Sequence, residues 1–598
     1  MDINRQSEAE KKVAELYADM TRRAGASSFG SCPVELTAAF VRLCLAQSCG
    51  KCVPCRVGLS RLVELLERVL DGEGGSVDFI RATAQSIYDS ADCAIGFEAA
   101  KMVLDGLAAF EDDYKSHIEK GVCTVRFGSV PCQTGCPAHV NIPGYIACIG
   151  AGRYADAVRV IRQTNPFPAV CGLICEHPCE KYCRRNVVDD AINIRGLKRY
   201  AVEKAGDVPA PKSAPQNGKT VGVIGGGPAG LAAAYFLALR GFEVTVYEKR
   251  PKLGGMLRYG IPAYRLPDAD LDRDINVILS TGVKVEYGKT VGKDISFADF
   301  RKKFDAVYVS IGAHGAKKLG IEGEDAKGVL SAVELLGSLG GLGSLEGLAG
   351  SGGLGLAGKR VVVIGGGNVA MDATRTAKRL GAKSVTCVYR RRIVDMTALP
   401  EEVAGAQAEG CEVLQLMAPV RVATKDGCVT GLVVKPQIAG AIKGGRPSPV
   451  NSSEPEQTIP CDIIVAAIGQ RVDDAGLDLK AEGVFVGGEC YTGPATVIRA
   501  IDAGRVAAEN INESLLGSVG SEGPLSGAGI DPVEIPSATA GQRLHWGRVN
   551  MQERAAEERK DDFNLMEKCL TDEEAAQECS RCLRCDHCGM GAFRTPRV

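Results

Sequence analysis

Residues 220–250 read TVGVIGGGPAGLAAAYFLALRGFEVTVYEKR. An apolar strand runs into a glycine turn, the turn opens an apolar helix, and a second strand ends on Glu248. Gly225, Gly227 and Gly230 carry the spacing of a dinucleotide-binding βαβ unit. Their lack of side chains permits a tight turn and close approach of a pyrophosphate to the helix N-terminus. Pro228, Ala229 and Lys249 complete the candidate contacts, and Glu248 stands where an acid accepts hydrogen bonds from a ribose diol. The alternating strands and helices that follow predict an α/β chain with a parallel sheet.

The pattern recurs at 359–392, KRVVVIGGGNVAMDATRTAKRLGAKSVTCVYRRR. Gly365 and Gly367 form the turn, Asn368 follows, and Ala370 takes the third glycine's place. The next strand ends on Arg390, Arg391 and Arg392 rather than an acid. Cations there suit a 2′-phosphate, so this site is expected to take NADP(H), with Arg390 and Arg391 as its grip. A solvated basic turn is the plainer alternative.

Cysteines form three groups. Cys49, Cys52 and Cys55 stand at steps of three in SCGKCVPCRVG, and Cys93 follows 38 positions after Cys55. Three thiolates on one turn and a fourth from afar favour a cubane iron–sulfur cluster over zinc, which usually takes two separate pairs. A middle group comprises Cys132, Cys136, Cys171, Cys175, Cys179 and Cys183. The tail carries Cys579, Cys582, Cys585 and Cys588, again at steps of three, and is expected to hold a cluster of its own. Cys32, Cys44, Cys387, Cys411, Cys428 and Cys461 are best read as small buried hydrophobes.

The 598 residues carry 24 cysteines and a net charge of −2. That length implies several domains. The balanced charge gives no footprint for nucleic acid, and no apolar run is long enough for a membrane span. The polar start is not that of a signal peptide, so clustered cysteines point to metal ligands in a reducing cytoplasm. No hydrolytic triad or carboxylate pair stands out, and no catalytic side chain is assigned. Hydride transfer between stacked cofactors needs none.

These motifs carry two resemblances. Residues 25–122 resemble the C-terminal iron–sulfur domain of the NADH-binding flavoprotein subunit of complex I and related hydrogenases. The FMN- and NADH-binding part of that family has no counterpart in these residues. Residues 130–512 resemble the family of the glutamate synthase small subunit, the large subunit of NADH-dependent ferredoxin:NADP oxidoreductase and the N-terminal half of dihydropyrimidine dehydrogenase. PCQTGCP, YGIPAYRLP, YRRR and TGPATVIRAI occur in the family's order. The resemblance implies two Rossmann-like domains, with the NADPH domain inserted in the FAD domain, preceded by two helical iron–sulfur domains. It adds Gly255 and Arg265 beside the flavin, and Gly488, Glu489 and Thr496 as a second flavin motif, with Glu489 where Asp is usual.

The expected units are a helical 4Fe–4S domain (1–122), a helical cysteine-rich domain (123–212), the first FAD part with a Gly/Leu-rich insertion (213–357), the NADPH domain (358–464), the second FAD part (465–515), and a linker and tail (516–598). In the family the middle segment holds two clusters. Here Thr124 and Phe127 occupy the positions of a leading cysteine pair, and Lys198 that of a Gln or Glu ligand. Fewer than two standard clusters, or one with a substituted ligand, is therefore expected, with Cys123 and Cys148 as reserves. Two to four 4Fe–4S clusters are expected in all.

The resemblances imply an FAD- and NADP(H)-dependent iron–sulfur oxidoreductase subunit. Its expected partners resemble the NADH-binding flavoprotein and thioredoxin-like 2Fe–2S subunits, with ferredoxin as a further one. An electron-bifurcating NADH/ferredoxin:NADP transhydrogenase is the leading whole. A formate dehydrogenase or hydrogenase complex, a glutamate synthase small subunit and a non-catalytic relay scaffold remain as alternatives.

Overall fold

A computed structural model describes residues 32–70, 75–120, 130–187, 189–339, 355–443, 446–472, 476–517, 533–536 and 547–586. Helices dominate up to Ala205, and two parallel sheets follow.

The N-terminal helices Pro33–Gln47, Ser60–Leu70, Val77–Ser90 and Ala94–Ala109 enclose their own apolar core around Phe40, Leu62, Leu66 and Val103. Apolar residues spaced by three and four put Leu62, Leu65, Leu66 and Val69 on one buried stripe of the second helix.

The first sheet has the order β10-β4-β1-β2-β3, every neighbouring pair parallel. Its strands are β1 (Thr220–Ile224), β2 (Glu243–Glu248), β3 (Lys284–Tyr287), β4 (Ala306–Val309) and β10 (Val484–Val486). The second has the order β5-β9-β6-β7-β8, also parallel. It comprises β5 (Val329–Ser331), β6 (Arg360–Ile364), β7 (Ser384–Tyr389), β8 (Glu412–Gln415) and β9 (Ile463–Ala466). Strand β5, expected within the first FAD part, pairs with β9 instead. The chain therefore enters the second sheet before residue 358, because the edge beside β9 needs a strand and Val-Leu-Ser supplies it. An antiparallel sheet drawn from Met417–Pro460 fills the connection between β8 and β9.

Of the Gly/Leu-rich stretch, Leu335–Leu339 continues the helix Ala332–Leu339. Residues 340–354, most of the 516–545 linker, Cys123 and Cys588 lie outside the described residues. Among the described residues no helix is long and apolar enough to cross a membrane.

The C-terminal segment runs back as a strap over the middle helices and the two dinucleotide units. Arg548 Nη2 pairs with Glu180 at 2.7 Å, Arg195 Nη2 with Glu567 at 2.6 Å, and Arg559 Nε with Glu409 at 2.8 Å. It touches the middle helices and the second dinucleotide unit, and Met566 N donates to the Tyr264 carbonyl at 3.0 Å beside the first.

Candidate functional site

The glycine turn of the first unit is built by close approach. Gly225 has φ +108°, and a Cβ there would lie 2.5 Å from the Ser310 carbonyl oxygen. A Cβ on Gly230 would lie 2.0 Å from the Gly225 carbonyl oxygen, so only glycine lets helix α1 (Pro228–Leu239) rest on the turn. Pro228 opens α1, and Gly227 caps it without any side-chain hydrogen bond, leaving the helix start to a ligand.

A cavity of about 430 Å³ opens on this turn. Gly225, Gly227, Pro228, Ala229, Glu248, Lys249, Gly255, Arg265, Glu489 and Thr496 all line it. Thr496 caps helix α3 (Val497–Leu516), again with no side-chain hydrogen bond, so a second helix N-terminus faces the same space. Gly488, at φ +71°, brings its segment against Ala229; a Cβ would meet the Ala229 methyl at 2.9 Å. Glu489 Oε1 accepts from Ala495 N at 2.9 Å, and burial pushes its carboxyl up. Glu248 accepts from Gly226 N and Arg250 N, each at 2.8 Å, which fixes its carboxylate at the strand end. Two uncapped helix starts, a glycine turn and an anchored acid fit the pyrophosphate and ribose of FAD.

The cavity also has walls that sequence reasoning missed. His314 borders it, and burial, then Arg250 and Lys249, lower its pKa to about 4, so its ring is neutral. Ile174 and Glu176 enter from the middle helices, and Asn368, Val369 and Asp372 from the second unit. Only tertiary packing brings these to the first cavity; of them, Asn368 alone was marked by a local pattern, that of the second dinucleotide turn.

In the second unit, a Cβ on Gly365 would lie 2.4 Å from the Ala467 carbonyl oxygen, and Ala370 is fully buried beneath the turn. Helix α2 (Asn368–Arg379) starts at Gly367 without a side-chain cap. Asn368 is committed elsewhere: its Nδ2 donates to Glu176 at 2.7 Å and its Oδ1 accepts from Leu399 N at 2.9 Å. Arg390 is exposed just after β7, Arg391 Nε donates to the Pro447 carbonyl at 2.9 Å, and Arg392 pairs with Asp395 at 2.8 Å. The basic run thus borders the second turn's own strand, as a 2′-phosphate site requires.

Arg265, expected as a flavin contact, borders the cavity but spends its guanidinium on Asp372 and Glu402. Burial of both carboxylates demands that pairing.

The N-terminal thiols converge. Cys49, Cys52 and Cys93 neighbour Cys55, whose thiol burial, then Cys52, push up to about 12. Gly96 makes room, since a Cβ there would lie 2.9 Å from Cys55 Sγ. Metal must displace these protons, and four thiolates so close need its charge.

In the middle segment, Cys136, Cys171, Cys175 and Cys179 surround the buried Lys198. Burial alone would lower the Lys198 pKa, but these four thiols raise it on balance. Gly172 permits the approach: a Cβ would lie 2.9 Å from Arg199 Cα on the helix that carries Lys198. Cys171 thus accompanies the three others, and the Lys198 side chain lies among the four thiols. Cys148 lies away from them, with Arg153 and Asp156 among its charged neighbours.

Of the four tail cysteines, Cys579, Cys582 and Cys585 lie within the described residues, and they do not share one surrounding. Helix α4 (Asp572–Arg581) ends before Cys582, and Arg584 at φ +50° turns the chain. Cys579 stays on the helix, where the Gly150 Cα faces its Cβ, while Cys582 and Cys585 turn toward Cys132 and Cys183. Cys428, expected to be buried, is exposed, because it follows the tight turn at Asp426 and Gly427. Among the described residues no three His, Cys, Asp or Glu side chains are arranged to hold a single metal ion.

Comparison with known proteins agrees. Residues 35–117 match the NADH-ubiquinone oxidoreductase-F iron–sulfur binding region, 117–208 the dihydropyrimidine dehydrogenase domain II 4Fe–4S cluster family, and 219–504 the pyridine nucleotide-disulphide oxidoreductase family. The chain is 33% identical to the NADP(+)-dependent formate dehydrogenase subunit beta of Moorella thermoacetica, over 92% of this chain and 90% of that one. It is 34% identical to the NADPH-Fe(3+) oxidoreductase subunit beta of Geobacter sulfurreducens, over 91% and 89%. The glutamate synthase [NADPH] small chain of Azospirillum brasilense is 35% identical over 65% of this chain and 86% of its own length. FAD, NADP(H) and 4Fe–4S clusters are its cofactors, and the chain belongs to the family of NADPH-dependent flavin and iron–sulfur oxidoreductase subunits that these relatives represent.

Proposed function

We propose that this subunit exchanges electron pairs with NADP(H) at its flavin cavity and passes them singly through thiolate-held clusters to a partner subunit. The observation that carries this is local. Ile174 and Glu176 line the flavin cavity, and Cys175 between them belongs to the four-cysteine group around Lys198. FAD supplies the chemistry, accepting hydride from NADPH and releasing single electrons.

The chain's residues bind and orient. The starts of α1 and α3 hold the pyrophosphate, Glu248 the ribose, and Arg390 and Arg391 the 2′-phosphate. Asn368 and Asp372 put the start of α2 on the wall of the flavin cavity, so the nicotinamide is delivered to its rim. The neutral ring of His314 adds no charge there.

Near full-length likeness to a formate dehydrogenase subunit beta favours a complex that couples formate oxidation to NADP, operating in the cytoplasm. The N-terminal cage would then face partners resembling the NADH-binding flavoprotein and thioredoxin-like 2Fe–2S subunits, with a bifurcating transhydrogenase as the second reading, favoured by that domain. Anaerobic stopped-flow mixing with NADPH tests the core of this: flavin bleaching should precede cluster bleaching. In Cys175→Ser, flavin bleaching should persist while the cluster phase is lost. Absence of flavin bleaching in the intact protein would reject the reading. Purification of the native complex and assay with formate, against NADH plus ferredoxin, decides the partner.

A further inference from the structure

Two of the C-x-x-x-C steps in the middle segment, Cys132/Cys136 and Cys179/Cys183, divide their cysteines between two places. Cys136 and Cys179 go to the group with Cys171 and Cys175 around Lys198. Their pair-mates Cys132 and Cys183 face the other way, and Thr124 and Phe127 stand where the family's leading cysteine pair would. A small cavity lies on that side, lined by Cys132, Cys183, Cys582 and Cys585, with Pro131 and Ile192 among its apolar walls. The titratable side chains that act on Cys132 are the thiols of Cys582, Cys183 and Cys585.

The tail reaches this place through a built interface. Glu578 and Arg581 of α4 are fully buried, an unusual state for charged residues that their mutual ion pair and backbone partners offset, Arg581 Nε alone lacking a partner. Glu578 accepts from Asn193 N and from Val549 N, each at 2.7 Å. Arg581 donates to the Asp190 carbonyl and to Glu578, each at 2.7 Å, and reaches Asp189 at 3.3 Å. Arg185 Nη1 donates back to the Arg581 carbonyl at 3.4 Å, in the residue next to Cys582. Tyr200 and Lys204 hold the other end of the helix at Asp572. The helix terminus is thus fixed from both sides at the point where the two cysteines leave it.

We propose that Cys582 and Cys585 of the C-terminal segment complete, with Cys132 and Cys183, a second four-thiolate cage that holds a 4Fe–4S cluster. The tail pair replaces in space the pair missing at Thr124 and Phe127. A C-x-x-C turn just past a helix end is suited to this, because successive thiolates can face one side. Cys579 remains on the helix against the Ile142–Gly150 helix and is not a ligand. The inference rests on the relay reading above, and gives that relay a second station on the far side of the Cys136 group.

The test uses the full-length holoprotein purified anaerobically. Iron and sulfide per flavin should fall by about four in Cys132→Ser and equally in Cys582→Ser/Cys585→Ser. Both should lose the same electron paramagnetic resonance signal of the dithionite-reduced protein. Combining them should cost no further iron, and Cys579→Ser should cost none. Additive loss of about eight irons, or loss of two different signals, would show two separate clusters and overturn the proposal. Should these variants fold poorly, alkylation of the wild type decides. Cys132, Cys183, Cys582 and Cys585 should be protected together and become labelled together on chelation of iron. Labelling of Cys582 and Cys585 in the intact holoprotein would overturn it. Flavin reduction by NADPH should be unchanged throughout; its loss in the wild type would fault the relay reading instead.

Discussion

Arg265 holds Asp372 across the two dinucleotide units, its Nη1 lying 3.0 Å from each carboxylate oxygen. Its Nη2 lies 3.1 Å from Glu402, which also takes Arg375 at 2.8 Å. Arg375, Arg379 and Arg559 then share Glu409, so the strap closes the network. Arg379 stacks over the Tyr264 ring at 4.0 Å. Replacing Arg265 with Ala leaves Asp372 and Glu402 buried without their shared cation. The expected cost is about 3–5 kcal/mol. Thermal unfolding of the holoprotein reads it, and an unchanged midpoint would mean the network contributes nothing across the units.

Nucleotide choice should follow the basic run after β7. In Arg390→Ala/Arg391→Ala, NADPH binding is expected to weaken by about 2–4 kcal/mol, as for lost charge-assisted pairs, with NADH binding little changed. Titration of both nucleotides against flavin fluorescence checks this. Equal losses would assign the arginines to the fold rather than to the 2′-phosphate.

The N-terminal cage should behave as a unit separate from the flavin. Cys52→Ser is expected to lose about four irons while retaining FAD and its reduction by NADPH. Transfer to the partner subunit should fail. Iron content equal to that of the wild type would remove Cys52 from the ligand set.

Asp274 sets a pH dependence. It is fully buried and accepts from Val170 N at 3.0 Å. Burial, against that hydrogen bond and Arg162, raises its pKa to about 7. The folded protein keeps a proton that the unfolded chain releases near pH 4, so this group's contribution is fully present in acid and is lost as pH rises toward 7. Asp274→Asn keeps the acceptor and removes the charge. It should exceed the wild type in stability by about 2–4 kcal/mol at pH 8, with the gap closing toward pH 4. Melting curves at pH 5 and pH 8 that shift by the same amount would contradict this.

The dinucleotide turns were legible in the chain because a glycine's constraint is local: Gly225 and Gly230 are demanded by atoms a few residues away or one strand over. The N-terminal cage was legible for the same reason, with three of its cysteines within seven residues. Arg265 was not, since its burial against Asp372 and Glu402 depends on how two sheets dock. His314 carried no motif, and packing alone places it on the cavity. The even spacing of the tail says that four thiols are near one another in sequence but not where the helix stops. The end of α4 at Arg581 divides them.

The docking of α4 has a consequence for biosynthesis. Its contact with Arg185 joins positions 396 apart. A ribosome moving at ~5–20 residues per second needs roughly 20–80 s to travel from one to the other. During that interval Cys132 and Cys183 wait as unprotected thiols, open to oxidation and to stray thiophilic metals. With the proposed ligand set, delivery of iron and sulfide to that place must follow synthesis of α4.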